Sequence, residues 1–266
     1  MGGMSSDVTQ GVFFRVVAPT LGVLLGNAMF FTPLVPLRRA MKVGQLGALN
    51  PLPLVLIWCN CVGWIAYGYA TRDYYVFAGN FAGSLLGLFY TLTSSGLAEQ
   101  GDHQLGLPVR PLLTGIAVFY VGVYMICGLI VTSALDERRD GNVREIAANV
   151  FGFAVMPALI AMYASPLSTI ARVLSTGSSA SVDGGITTVN FVNASSWTIY
   201  GLAIGDYFIG VPNGLGVVLG AALIALKLAY PADKQRDGGV PLDSSPSVIG
   251  VHDSEVVVRL SRDLSR

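Results

Sequence analysis

Almost every ionisable residue of this chain lies at the edge of a long stretch that carries no charge. Each of these stretches has at least 20 residues, the length that an α-helix needs to cross about 30 Å of hydrocarbon. A spanning β-barrel would show short alternating segments instead. The sequence therefore predicts an all-α integral membrane protein with seven transmembrane helices, in the stretches Val16–Leu37, Val43–Thr71, Tyr74–Ala98, Pro111–Leu135, Ile146–Ala171, Gly184–Gly205 and Tyr207–Leu226.

The composition also favours a lipid bilayer as the solvent. Charged residues make up 12% of the chain, against about 25% in ordinary soluble domains, and the mean hydropathy is +0.61. The formal net charge is zero, so nothing suggests a nucleic-acid partner. The three cysteines lie inside apolar stretches without a disulfide or metal-ligand spacing. We therefore expect no metal, no cofactor and no enzymatic activity.

The two ends of the chain match each other at a single offset of 133 residues, without a gap. The matches include residue types that rarely coincide by chance. They pair Met29 with Met162, Pro33 with Pro166, Leu34 with Leu167, Arg39 with Arg172, Asn60 with Asn193, Trp64 with Trp197, Tyr67 with Tyr200, Gly68 with Gly201, Asp73 with Asp206, Tyr74 with Tyr207, Asn80 with Asn213, Gly83 with Gly216 and Gly87 with Gly220.

The fourth helix has no partner in this repeat, and its place follows from parity. Three helices end on the opposite face of the membrane from where they begin, so one more helix lets the second unit start on the same face as the first. The two units are then parallel. We predict two parallel three-helix bundles (residues 12–98 and 145–230) joined by a linker helix (110–136), with a disordered cytoplasmic tail (231–266).

The lysines and arginines favour one orientation, with the N-terminus outside and the C-terminus in the cytoplasm. In that orientation the cytoplasmic side receives more of them: Arg38, Arg39, Lys42, Arg110, Arg172, Lys227, Lys234 and Arg236. The other side receives Arg15, Arg72, Arg138, Arg139 and Arg144. We expect the plasma membrane, with the Golgi or the vacuolar membrane as the alternative.

Paired polar residues near the membrane midplane are the candidates for binding a solute. Trp64 and Trp197 stand about halfway along helices two and six, and Asn80 and Asn213 stand six residues into helices three and seven. An indole packs on the C–H face of a sugar ring, and an amide both donates to and accepts from hydroxyl groups. The alternative is that the indoles fill space and the amides join helices.

Paired tyrosines and aspartates lie toward the outer ends of the same helices. A hydroxyl of Tyr67 or Tyr200 bonded to a carboxylate of Asp73 or Asp206 could close an outer gate, although an Asp at a helix start also caps the helix. No Asp, Glu or His lies in the middle of a predicted span. This absence argues against a proton relay and favours a facilitator.

Three prolines are predicted to interrupt the helices. Pro removes a backbone hydrogen bond and bends a helix, and transporters use broken helices to move. Pro33, Pro53 and Pro166 are therefore candidate hinges, and static kinks are the alternative.

Several motifs resemble those of the SWEET (MtN3/saliva) sugar transporters, over roughly residues 20–231. The motifs are the stretch from Asn60-Cys61 to Tyr67-Gly68, Ala164-Ser165-Pro166-Leu167-Ser168, Ser196-Trp197-Thr198-Ile199-Tyr200-Gly201 and Val211-Pro212-Asn213-Gly214-Leu215-Gly216. The resemblance implies bidirectional, energy-independent passage of mono- or disaccharides by alternating access. It also implies an assembly that is often trimeric.

The resemblance further implies roles for individual residues. Trp64 and Trp197 would face the sugar, and Asn80 and Asn213 would bond it. Tyr67 and Asp206 would belong to an outer gate.

An inner gate would be built on prolines, and here the sequence departs from the family. Pro33, Pro53 and Pro166 match three of the four expected prolines. Counting back from Trp197 puts Asp183 where the fourth belongs. Symmetric inner gating is therefore not expected.

Two other functions remain open at this point. The first is a transporter of another small solute, such as an amino acid, on the related PQ-loop repeat, but those proteins carry Pro-Gln where this chain has Pro-Leu at residues 33–34 and 166–167. The second is a non-transporting seven-helix receptor, which would not need a parallel repeat.

Overall fold

A computed structural model describes residues 11–47, 49–98, 108–136 and 143–231. The predicted tail lies outside these residues, apart from its first one. Within the described part a short π-helical turn, Phe13–Val17, leads into a series of α-helices. These are α1 (Ala18–Met29), α2 (Leu34–Val43), α3 (Leu52–Thr71), α4 (Tyr74–Ala98), α5 (Val109–Asp136), α6 (Val143–Met162), α7 (Ala164–Thr176), α8 (Gly184–Ile204) and α9 (Tyr207–Ala229).

The described helices provide stretches that are long and apolar enough to cross a membrane. Six stretches meet both conditions: Phe13–Val43, Leu52–Thr71, Tyr74–Ala98, Val109–Ala134, Val143–Thr176 and Tyr207–Ala229. Helix α8 has 21 residues, enough to span, but it is less apolar than the others. The cause is its polar side chains: Thr187, Thr188, Asn190, Asn193, Ser195, Ser196 and Thr198.

The first predicted span is two helices. Helix α1 ends at Met29, and α2 begins after Pro33, which has no backbone N–H to continue the helical ladder. The carbonyl of Phe30 instead accepts a hydrogen bond from the hydroxyl of Tyr90 on α4, at 2.7 Å. A side chain of a neighbouring helix thus satisfies a backbone group at the break, as the interior of a bilayer requires.

The fifth predicted span is broken at the equivalent place. Helix α6 ends at Met162 and α7 begins at Ala164, so the break is shorter than the one in the first span. Pro166 lies in the first turn of α7, where a missing N–H costs nothing. The hydroxyl of Tyr163, at the break, donates to the carbonyl of Pro212 on α9.

The second predicted span begins later than expected, and this corrects the prediction that Pro53 interrupts a helix. The described residues between Val43 and Leu52 are not helical, and among them Gly44 has φ 77° and Gly47 has φ 56°. Only glycine adopts such angles readily. Pro53 is the second residue of α3 and does not interrupt a helix.

The helices form two bundles, and the offset of 133 maps each contact between the bundles onto the other. In the first bundle α4 packs on α1, α2 and α3, and in the second α9 packs on α6, α7 and α8. The bundles meet where α1 packs on α8 and where α3 packs on α6. Because the offset maps α1 onto α6 and α3 onto α8, these two contacts are equivalents of each other.

Helix α5 joins the bundles and lies against α3, α4 and α6. Its inner face is held by the hydroxyl of Tyr124, which donates to the carbonyl of Cys59 at 2.9 Å. Its outer face is apolar and exposed, as a lipid-facing surface would be: Val118, Phe119, Met125, Ile126 and Leu129.

Candidate functional site

Two tight turns between helices carry the paired aspartates. Arg72 ends α3 with φ 57°, and Gly205 ends α8 with φ 73°. Asp73 and Asp206 follow these residues and begin α4 and α9. The two turns are therefore built alike, although one has an arginine at the position with positive φ.

Each turn depends on a glycine that allows close helix approach. A Cβ at Gly68 would lie 2.8 Å from the backbone nitrogen of Phe77, and a Cβ at Gly201 would lie 2.5 Å from that of Gly210. Real carbon atoms do not approach backbone so closely. Glycine at these two positions thus lets the helices of each hairpin meet.

Two hydrogen bonds connect the hairpins crosswise. The hydroxyl of Tyr67 donates to Oδ2 of Asp206 at 2.6 Å, and the hydroxyl of Tyr200 donates to Oδ2 of Asp73 at 2.8 Å. Each bond joins one bundle to the other. The two turns therefore lie on the same face of the protein, called the aspartate face below, and the bundles are fastened together there.

The same carboxylates also cap helices, so the contact with a tyrosine hydroxyl and the helix cap occur together. Oδ1 of Asp73 accepts from the backbone N–H groups of Tyr75 and Val76, both at 3.0 Å. Oδ1 of Asp206 accepts from the N–H of Ile209 at 3.2 Å. Capping fixes each carboxylate so that its other oxygen faces the tyrosine.

The sequence named Tyr67 and Asp206 as gate residues, and the structure brings them into contact. The second pair, Tyr200 and Asp73, was among the side chains that the sequence offered for such a gate, although the family resemblance implied a role only for Tyr67 and Asp206. The offset of 133 maps one pair onto the other with the partners exchanged. Asp73 is also the more buried aspartate, with 7% of its surface exposed.

The paired tryptophans lie one helical turn away from the tyrosines, toward the membrane interior. The ring of Trp64 meets that of Tyr67 edge to face at 5.2 Å, and Trp197 meets Tyr200 in the same way at 6.1 Å. A solute between the two indoles would thus lie directly beneath the crossed hydrogen bonds.

The paired asparagines of α4 and α9 are held alike. The side-chain N–H of Asn80 donates to the carbonyl of Val76 at 2.9 Å, and that of Asn213 donates to the carbonyl of Ile209 at 2.8 Å. Each amide keeps its oxygen and a second N–H for another partner. Both side chains are partly buried, so these groups suit a solute with hydroxyls.

A second pair of asparagines was not among the predicted site residues. Oδ1 of Asn60 and Oδ1 of Asn193 are buried and have no hydrogen-bond partner in the protein. Leaving a buried acceptor unpaired costs about 1–3 kcal/mol. The two residues are equivalents at the offset of 133, and they lie one turn from the tryptophans on α3 and α8. They are therefore further candidate acceptors for a ligand.

The predicted inner-gate residues lie at helix starts on the opposite face. Pro33 precedes α2, Pro53 and Pro166 lie in the first turns of α3 and α7, and Asp183 caps α8. Oδ1 of Asp183 accepts from the N–H of Ile186 at 2.9 Å. The position equivalent to Asp183 is Asn50, whose Oδ1 accepts from the N–H of Leu52, the first residue of α3, at 3.0 Å.

These positions therefore differ in kind. Pro33 and Pro166 accompany the broken spans, whereas Pro53 and Asp183 begin unbroken ones. No group of three or more His, Cys, Asp or Glu side chains within the described ranges could hold a metal ion.

Comparison with known proteins assigns the family. The family described as "Sugar efflux transporter for intercellular exchange" (MtN3/saliva) matches residues 18–95 and again residues 149–235. The chain belongs to this family, the SWEET transporters. Its members are transporters and not enzymes, and the fold predicted from the sequence is confirmed by the helical membrane architecture and by the solved structure named next.

Individual relatives agree with this assignment. The chain is 28% identical to "Sugar transporter SWEET1" of Rattus norvegicus, over 80% of this chain and 89% of the relative. It is 26% identical to "Bidirectional sugar transporter SWEET2a" of Oryza sativa subsp. indica, over 83% and 86%. A solved structure, "The 3.7 A resolution structure of a eukaryotic SWEET transporter", has a TM-score of 0.68 and 25% identity, over 84% of this chain and 98% of that one.

Proposed function

We propose that this SWEET protein carries a small neutral sugar across the membrane in both directions, by alternating access and without an ion gradient. The observation that carries the proposal is the pair of crossed hydrogen bonds between Tyr67 and Asp206 and between Tyr200 and Asp73. They fasten the two bundles together on one face, directly above the paired tryptophans. Alternating access requires a pathway that closes on one face at a time, and these two bonds would close it on this face.

The chemistry beneath the crossed bonds favours a sugar. Two indoles offer apolar faces for the C–H groups of a pyranose ring. The amides of Asn80 and Asn213 retain free acceptors and donors, and the buried oxygens of Asn60 and Asn193 lack donors. Sugar hydroxyls supply these donors without bringing a charge into the membrane.

The absence of charge along the described spans supports a facilitator. Within the described ranges, the middle parts of the membrane-spanning stretches carry no Asp, Glu, His, Lys or Arg. Asp73 and Asp206 lie at helix starts and are occupied as caps and as partners of tyrosines. Proton or sodium coupling needs a group that changes its charge or its ligands in the pathway.

We also propose an orientation. The aspartate face is the outer gate, the N-terminus lies outside and the C-terminus lies in the cytoplasm of a plasma-membrane protein. The lysines and arginines at the opposite helix ends support this, including Arg38, Lys42 and Lys227. Labelling of a single cysteine introduced at Tyr74 with an impermeant maleimide on intact cells checks it. Labelling only after permeabilisation would reverse the orientation.

Assembly as a trimer, which the family resemblance implies, stays a prediction. The mass of the detergent-solubilised protein, measured by light scattering coupled to size exclusion, decides it.

Radiolabelled sugar uptake in a transport-deficient cell tests the function. Wild type should take up sugar, and Trp197→Ala and Asn213→Ala should each lose most of the uptake while reaching the membrane. Phe119→Ala is the matched control, because Phe119 is a large aromatic residue with 64% of its surface exposed on α5.

Three outcomes would count against the proposal. Normal uptake by both variants would show that Trp197 and Asn213 do not bind the sugar. Transport of amino acids but not sugars by the wild type would favour the PQ-loop alternative. Accumulation of sugar against its gradient, abolished by a protonophore, would contradict the facilitator.

A further inference from the structure

The indole of Trp197 crosses from α8 into a crevice between two helices of the other bundle. A Cβ built on Gly22 of α1 would lie 2.8 Å from Nε1 and from Cε2 of this indole. A Cβ built on Gly79 of α4 would lie 2.8 Å from Cζ2. Both glycines are buried. The nitrogen-bearing edge of the ring therefore sits in a slot that exists because two facing positions have no side chain.

The positions equivalent to these two glycines are not glycine in the second bundle. The offset of 133 maps Gly22 onto Val155 and Gly79 onto Pro212, and both of these residues are buried. Val155 has none of its surface exposed. The two tryptophans thus occupy equivalent positions, but the two glycines that face the ring of Trp197 have larger residues as their equivalents.

We propose that Gly22 and Gly79 are specificity-determining residues, which set the width of the sugar pathway by holding the edge of the Trp197 indole between α1 and α4. The proposal rests on the proposed function, in which Trp197 faces the sugar. With the edge seated in the slot, the ring occupies space between helices that the pathway does not use. A methyl group in the slot displaces the ring into the pathway, so the space beside Trp197 narrows while that beside Trp64 stays unchanged.

A purely structural role of the slot is the competing explanation. In that case the glycines only let α1, α4 and α8 approach, and filling the slot would separate the helices. The two explanations differ in what rescues the defect. If the added methyl group displaces the indole, removing the colliding ring atoms should restore transport. If it separates the helices, a smaller ring should not restore transport, because it leaves a further cavity.

Uptake measurements on Gly22→Ala and Gly79→Ala distinguish them, with labelled xylose, glucose and sucrose as a size series. Overpacking of this kind should lower glucose uptake about tenfold, and among the sugars that wild type carries the loss should grow with size. Adding Trp197→Phe, which removes Nε1 and the fused ring, should raise uptake of Gly22→Ala to the level of Trp197→Phe alone. Gly122→Ala on α5 is the control, because a Cβ there meets nothing within 4 Å.

Fluorescence provides a readout that does not depend on transport. The chain has three tryptophans, so a protein with Trp58→Phe and Trp64→Phe reports on Trp197 alone. In this background Gly22→Ala should raise quenching by acrylamide, because the displaced indole meets water in the pathway. Gly26→Ala, one turn along α1, should not, since its Cβ would lie at an ordinary 3.5 Å from its nearest neighbour.

The outcomes separate this proposal from the proposed function. Equal losses for all sugars without rescue by Trp197→Phe, or unchanged acrylamide quenching in Gly22→Ala, would overturn the proposal while leaving sugar transport intact. A wild-type protein that moves no sugar would overturn the proposed function, and with it the role of the slot in specificity.

Discussion

The hydroxyl of Tyr67 lies 2.6 Å from Oδ2 of Asp206, and the two residues belong to different bundles. A hydrogen bond to a charged group contributes about 1.5–3 kcal/mol. Tyr67→Phe should therefore shift the equilibrium toward an open aspartate face by about 10- to 150-fold. Tyr200→Phe should have a similar effect, because its bond to Asp73 is the equivalent one.

Pulsed electron–electron resonance between nitroxide labels at positions 69 and 202 measures this opening. Tyr69 and Leu202 are equivalents at the offset of 133, near the aspartate face, and are 80% and 59% exposed. Each variant should add a longer-distance population. Tyr74→Phe is the control, since Tyr74 is 81% exposed and its hydroxyl makes no bond between the bundles within the described residues. Unchanged distances in both gate variants would mean that the crossed bonds do not hold the face closed.

Gly68→Ala and Gly201→Ala should destabilise the protein strongly. The added carbon would meet the backbone of the following helix at 2.8 Å and 2.5 Å, and backbone cannot swing aside as a side chain can. We expect a loss of at least about 1–3 kcal/mol, the usual cost of overpacking. Thermal melting in detergent measures it, with Gly96→Ala and Gly128→Ala as controls whose Cβ atoms meet nothing within 4 Å. Equal melting temperatures in all four variants would exclude the close-approach argument.

Asn193→Leu should stabilise the sugar-free protein and impair transport. The buried Oδ1 of Asn193 lacks a partner, so its removal relieves about 1–3 kcal/mol. The same change removes an acceptor for sugar, which should raise the KM for uptake. Asn60→Leu should behave alike. A variant that melts higher and transports normally would show that the orphan oxygen has no part in binding.

Tyr90→Phe should weaken the break in the first span. The variant leaves the carbonyl of Phe30 without its 2.7 Å partner inside the membrane, at a cost of about 1–3 kcal/mol. The melting temperature should fall in Tyr90→Phe and stay unchanged in Tyr74→Phe. The equivalent of Tyr90 in the second bundle is Leu223, so the break in the fifth span has no such support. An unaltered melting temperature would imply that another group satisfies the Phe30 carbonyl.

Charge placement and the offset were sufficient to predict the spans and the fold class from the sequence. Because ionisable residues are excluded from hydrocarbon, the positions of the charges indicate where the membrane spans begin and end. The partnership of Tyr67 with Asp206 was also accessible, because parallel repeats bring equivalent residues around one axis.

The breaks and turns were less accessible. The stretch from Val43 to Pro51 carries no charged residue, so charge placement cannot separate it from the helix that follows. What ends the helix is the left-handed backbone of Gly44, a local property that apolarity does not report. Pro53 was misplaced for the same reason, since its effect depends on whether a helix has already begun.

The slot around Trp197 could not be predicted either. Gly22, Gly79 and Trp197 are far apart in the chain, and glycines are abundant in membrane helices for many reasons. The offset pairs these glycines with valine and proline, so the repeat does not indicate that they act together. Only the packing of α8 against α1 and α4 gives those two positions their meaning.

The crossed bonds also constrain how the protein is made. Asp73 and Tyr200 are separated by 127 residues, so at about 5–20 residues per second the ribosome adds the tyrosine roughly 6–25 s after the aspartate. During that interval Oδ2 of Asp73 and the first bundle's side of the interface lack their partners, although Oδ1 can already cap α4. The nascent protein therefore needs water, lipid headgroups or the insertion machinery to shelter that surface until its second half arrives.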